Sequence, residues 1–135
     1  MTPARLAPLS LVLVAVACRA ERRSGATLRV PGENGPRVTV EVLNASGRNG
    51  LAKTATRLLR DAGIDVLTFG NAPDSTGTLD STRIVVRRGT SAVGERVRNA
   101  LGVGRVVVQL DRRRLLDVSV LLGADFVPPR FEFHP

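Results

Sequence analysis

From residue 37 onward the chain alternates. Val38, Val40 and Val42 fall between Thr39, Glu41 and Leu43, the period of two that puts one face of a strand into a core. The turn "NASGRNG" breaks that period. Beyond it, Leu51, Ala55, Leu58, Leu59 and Ala62 share an apolar stripe about 100° wide at helical spacing, with Lys53, Arg57 and Arg60 on the opposite side. Gly63 supplies a left-handed C-cap, and residues 64–69, "IDVLTF", form a second strand. A β-α-β unit of this kind crosses over right-handed and makes the two strands parallel. The stretch "GNAPDSTGTLDS" is a long loop dense in turn residues.

The plan then repeats. Residues 82–88 form a strand, Val93, Val97, Ala100 and Leu101 mark a second helix, and Gly102 ends it. Residues 105–110 and 116–122 are strands separated by Asp111, Arg112, Arg113 and Arg114, a charged stretch expected at a solvated hairpin tip. The sequence therefore predicts an α+β fold: a β-α-β-β-α-β(-β) sandwich, ferredoxin-like or similar, with two helices packed on one face of a mixed sheet. Which of the last two strands is the fourth core strand stays open.

Ahead of residue 37 the pattern changes character. Arg5 gives a short positive start and residues 6–17 an apolar run of twelve, a processing signal in form and too short to span a bilayer. Ala15-Val16-Ala17-Cys18 follows, similar to a bacterial lipobox, in which the cysteine is lipidated and becomes the new N-terminus. The same residues also read as an A-x-A cleavage site that would release a soluble protein with a free thiol. Cys18 is the only cysteine, and its place at the end of the apolar run favours lipidation. Residues 19–36, polar with interspersed glycine and proline, form a flexible tether with a coil-like span of roughly 25 Å. At most they carry a short strand around Leu28 and Val30. The domain is expected over 37–126, with a C-terminal tail at 127–135.

Composition narrows the core. Hydrophobic residues make up 43% of the chain, yet there is no Trp, no Tyr and only four Phe, so the core is aliphatic. The net charge of +8 rests on arginine, with Lys53 the single lysine. Such a surplus suits anionic neighbours such as phospholipid headgroups, nucleic acid or anionic wall polymers, and does not choose among them. Export and the lack of stacking aromatics weigh against nucleic acid. A nucleic-acid-binding regulator is the reading left if the chain is not exported.

The glycine turn invites comparison with phosphate loops and fails it. A Walker loop needs Lys directly after its last glycine, whereas Lys53 stands two places late, rotated by about 200° to the solvent side of the helix. The Rossmann pattern fails because residue 45 is alanine and no acid follows the second strand. Two readings remain. Asn44, Ser46, Gly47 and Gly50 form a turn that accepts a carboxylate or phosphate at the helix N-terminus. Alternatively the glycines only permit the turn, while Asn44, Ser46 or Asn49 caps the helix.

The stretch "VTVEVLNASGRNGLAKTATRLLRDAG" from Val38, together with "DVSVLLGADF" ending at Phe126, is similar to the LytR C-terminal domain family of bacterial cell-envelope proteins. Asn44, Ser46, Gly47, Gly50, Leu51, Ala52, Gly63, Gly123, Asp125 and Phe126 carry the resemblance. Ala45 departs from that family's glycine. The resemblance implies an accessory module of the kind that follows LytR-CpsA-Psr domains, which transfer glycopolymers to peptidoglycan. Residues 1–36 cannot house that catalytic domain, so no transferase activity is implied.

Catalytic sets are scarce. His134 is the only histidine, and Cys18 belongs to the signal, which excludes Cys-His, Ser-His-Asp and histidine-rich zinc sites. Asp117 with Asp125, or Asp61 with Asp65, are the carboxylate pairs to place in space. No metal and no cofactor is expected. The sequence points to a non-catalytic exported lipoprotein, held to the membrane through Cys18. Its domain is expected to bind peptidoglycan, an anionic wall polymer or an envelope protein, with Arg112, Arg113 and Arg114 as a basic contact patch. The alternative is a soluble exported binder of a phosphate- or carboxylate-bearing ligand at the turn of residues 44–50. The tail "VPPRFEFHP" offers Phe131 and Phe133 for packing or for a partner.

Overall fold

A computed structural model describes Pro3 and residues 35–130. Cys18, nearly all of the tether, Phe131, Phe133 and His134 lie outside the described residues. Seven regular elements follow one another: β1 (Thr39–Asn44), α1 (Leu51–Asp61), β2 (Asp65–Asn71), β3 (Arg83–Val86), α2 (Ser91–Leu101), β4 (Arg105–Val108) and β5 (Val118–Leu122). One turn of 3-10 helix, Asp74–Thr76, interrupts the loop between β2 and β3.

The strands form one mixed sheet in the order β2-β1-β5-β3-β4. β1 runs parallel to β2 and to β5, β3 parallel to β4, and β3 antiparallel to β5. The alternation read from residue 37 holds, since Val40 and Val42 are fully buried beneath the helices with Val118, Val120, Leu122, Ile84 and Val86. Leu51, Ala55 and Leu59 of α1 and Val97 and Leu101 of α2 close the same core. The α+β class and the two helices on one face of a mixed sheet are as expected. Within it, β1/β2 and β3/β4 are adjacent pairs, and β5 joins the two pairs.

The open question of the fourth core strand is thereby answered: β5 is central and β4 is an edge. The hairpin expected between them is corrected. β4 and β5 are not neighbours, because β5 reaches more apolar contact between β1 and β3 than at an edge. The connection at 109–117 instead crosses the end of β3, with Asp111 N–H bonded to the Arg87 carbonyl (3.0 Å). Arg114 folds back over the helix-free face and pairs with Glu41 (3.1 Å), which also accepts a 2.6 Å hydrogen bond from Ser119. Glu41, outward in the strand alternation, is therefore only 8% exposed.

Two threonine-aspartate clasps hold the ends of β5. Thr39 donates its N–H and hydroxyl to Asp117 (2.9 and 3.0 Å), and Thr82 donates the same two groups to Asp125 (2.8 and 2.7 Å). At the second clasp Gly123 passes so close to the β3 side that a Cβ would stand 2.4 Å from the Ser81 carbonyl carbon. Phe126, 1% exposed, then plugs the core. Gly123, Asp125 and Phe126 thus act as a fastening.

Candidate binding cleft

β1 ends at Asn44, and the chain must reverse to lay α1 over the sheet. Gly47 (φ 76°) and Gly50 (φ 82°) take left-handed conformations that side chains disfavour. Asn44 Oδ1 accepts from the Ser46 N–H (3.1 Å) and the Ser46 hydroxyl (2.7 Å), and its Nδ2 donates to the Arg48 carbonyl (2.6 Å). The Arg48 N–H in turn donates to Ser46 Oγ (3.1 Å). The expected side-chain cap is corrected here. Gly50 is the N-cap and no side chain caps α1, because Asn44 and Ser46 spend their polar atoms on the turn. Arg48 donates across to the carbonyls of Ala124 (3.1 Å) and Phe126 (2.6 Å), tying the turn to the β5 fastening. Ala45 is buried, bonded through its N–H to the Leu122 carbonyl and through its carbonyl to the Leu79 N–H.

This turn forms one wall of a cleft of about 370 Å³. The other wall comes from the end of β2 and the loop after it, through Asn71, Asp74 and Thr78. The cleft lies outside the C-terminal ends of the parallel strands β1 and β2, where open sheets with parallel strands place ligands. Its polar lining is mainly neutral: Asn44, Asn49, Asn71 and Thr78, with one carboxylate, Asp74. Arg48 is its one basic residue, and its guanidinium is already bonded to two carbonyls.

Of the sequence-predicted turn residues, Asn44 and Gly47 line the cleft, Ser46 is buried behind it, and Gly50 starts α1. Arg112, Arg113 and Arg114 sit at the opposite end of the strands, past the end of β3. Arg112 and Arg113 are exposed there, while Arg114 is engaged with Glu41. The structure does not bring the triplet to the turn. Nor do the aspartates pair: Asp117 and Asp125 occupy opposite ends of β5, and Asp65 is bound to Arg37. Among the described residues no His, Cys, Asp and Glu cluster suits a metal ion, and no helix is long and apolar enough to cross a membrane.

Sequence reading missed Asn71, Asp74 and Thr78 as cleft residues. The available signal was the turn-rich stretch after the second strand of a β-α-β unit, which returns past the first turn.

Residues 37–126 match a family model, LytR_C, described as "LytR cell envelope-related transcriptional attenuator". No curated protein matches the chain. A crystal structure of the soluble domain of a conserved hypothetical secreted protein from Mycobacterium marinum, an Rv2700 ortholog, is 24% identical. It aligns over 80% of this chain and 72% of its own, with a TM-score of 0.50. The solution structure of the C-terminal domain of RV0431 is 26% identical over 91% of this chain and 87% of its own, with a TM-score of 0.42. The first of these likenesses supports the fold.

Proposed function

The chain belongs to the LytR_C family, and from that premise we propose a non-catalytic, exported envelope protein whose cleft binds an uncharged glycan of the peptidoglycan kind. Lipid on Cys18 holds it to the membrane, and residues 19–36 carry the domain away from the headgroups. The envelope half of the family's description fits the apolar leader and the Cys18 junction. The attenuator half does not fit an exported chain without Trp or Tyr.

The observation that carries the reading is the amide lining of the cleft. Asn49, Asn71 and Thr78 bring amide and hydroxyl groups that both donate and accept, the chemistry that sugar hydroxyl and acetamido groups match. Asp74 accepts from hydroxyls and repels phosphates, and Arg48 is occupied. Neutral hydrogen bonds add only about 0.5–1.5 kcal/mol each, so a single cleft binds weakly. Tethering raises the effective concentration of domain near the wall and offsets this.

The test is co-sedimentation of the full chain with purified peptidoglycan. Binding is expected to persist at high salt, because no free cation lines the cleft, and to be lost in Asn71→Ala and Thr78→Val. Retention unchanged in both variants, or release by salt alone, sinks the glycan assignment. Mass spectrometry of the mature N-terminus checks the anchor, with acyl chains on Cys18 the expected result. An unmodified Cys18 in a chain that retains Met1 sinks the envelope assignment.

A further inference from the structure

At the end of the strands opposite the cleft, the connection at 109–117 sets apolar side chains beside arginines. Its turn at 111–114 is braced, with the Arg114 N–H donating to the Asp111 carbonyl (3.1 Å) and the Arg113 N–H to Asp111 Oδ1 (3.0 Å). Leu110 and Leu115, on either side of that turn, are 63% and 83% exposed, and Val108 at the end of β4 is 50% exposed. Leu116, next along, is buried. A single exposed leucine is ordinary, but two that bracket one tight turn share its tip.

The same tip is cationic. Arg112, Arg113 and Arg88, whose N–H donates to the Asp117 carbonyl (3.1 Å), are exposed. Their guanidinium groups have no hydrogen bond or ion pair among the described residues. The nearby acids do not offset them: Asp111 faces Arg114 (3.9 Å), Glu41 is held by Arg114 and Ser119, and Asp117 by Thr39. The chain also enters the domain at this end. Arg37 pairs with Asp65 at the start of β2, and Thr39, clasped to Asp117, starts β1. Asn44, at the cleft, is the other end of β1, roughly 17 Å away at about 3.3 Å per residue.

We propose that the connection at 109–117 rests on an anionic lipid surface. Leu110 and Leu115 enter the boundary between headgroups and acyl chains, while Arg88, Arg112 and Arg113 meet lipid phosphates. A soluble wall polymer satisfies the arginines but leaves the leucines in water. The exit of the tether at this end supports the contact only through the Cys18 lipid proposed above, whereas the leucine and arginine tip stands without it. Seated in this way, the domain turns its cleft away from the bilayer.

The probe is a vesicle of phosphatidylglycerol and phosphatidylcholine, set against one of phosphatidylcholine alone. Each is added to the full chain carrying Cys18→Ser, so that no lipid anchor takes part. An environment-sensitive fluorophore is attached at Leu115→Cys or, at the cleft end, at Ser75→Cys, an exposed position. A blue shift is expected from the first label on the anionic vesicles and none from the second. Arg112→Gln combined with Arg113→Gln, both at exposed positions, should weaken vesicle binding about thirtyfold. No shift at residue 115, equal shifts at both labels, an equal shift on the zwitterionic vesicles, or unchanged binding of the arginine variant overturns the proposal. An equal shift with soluble polyglycerol phosphate overturns it in favour of a wall polymer. Since no chain in this experiment is acylated, a bare Cys18 in the native protein would remove the anchor and leave this result untouched.

Discussion

The two β-α-β halves share a plan and differ in how tightly they are shut. In the first, β1-α1-β2, a long glycine turn leaves a cleft at one end, and a groove opens between α1 and a seven-residue edge strand. In the second, β3-α2-β4, Gly94 lets α2 settle onto the sheet so closely that a Cβ there would stand 2.6 Å from Val106 and 2.7 Å from Val86. The equivalent turn is short, and the edge strand has four residues. Gly94 thus brings α2 against Val86 and Val106, whereas the cleft of the first half is bounded by its longer turn and by the loop after β2. The candidate cleft therefore belongs to the first half.

The largest test of this contrast falls on the joint between the halves. Gly123→Ala would push a methyl into the backbone of Ser81 and Thr82, which cannot step aside. A loss of about 3 kcal/mol is expected, read as a large drop in Tm by calorimetry. A wild-type Tm would show that the fastening is looser than described.

Next in size is a matched pair of substitutions. Gly94→Ala forces the methyls of Val86 and Val106 to shift, an overpacking cost of about 1–3 kcal/mol that the better helix propensity of alanine, about 1 kcal/mol, offsets only in part. Gly70→Ala in β2 meets nothing within 4 Å, so urea unfolding should give wild-type stability or slightly better. Equal effects at the two positions would erase the distinction between a shut half and an open one.

The smallest effect should have the opposite sign. Thr56→Val keeps the side-chain shape and the β-branching and removes the buried hydroxyl without a partner. Stability is expected to rise by about 1 kcal/mol, read by urea unfolding. A less stable Thr56→Val protein would mean that the hydroxyl is satisfied in solution.

Much of this architecture was legible in the sequence, and the reasons for the remainder are physical. Period-two and helical patterns located the strands and both helices because burial on one face writes itself into consecutive residues. Gly63 and Gly102 likewise announced the helix ends, at φ 81° and 78°. Pattern carries no information about which strand pairs with which, so the neighbouring 105–110 and 116–122 were read as a hairpin. In fact β5 inserts between β1 and β3. Nor could alternation reveal that Glu41 lies beneath Arg114, since that contact joins residues 73 apart. At the turn, the glycines were readable, whereas the competition between capping α1 and bracing residues 44–48 was decided by Asn44 geometry alone. The cleft needed a second wall from the loop after β2, which only the fold supplies.

The placement of β5 also governs when the protein can become whole. Its clasp to Thr39 spans 78 residues of sequence, so a chain emerging N-terminus first, from a ribosome or a membrane channel, holds β1 and β3 without their shared neighbour until β5 itself appears. Such long-range closure is slow, and until then both strands present bare flanks to any other nascent chain. Shielding by a chaperone would matter most in that interval, and a stop codon only a few codons before Leu122 would do more harm than many substitutions within the sheet.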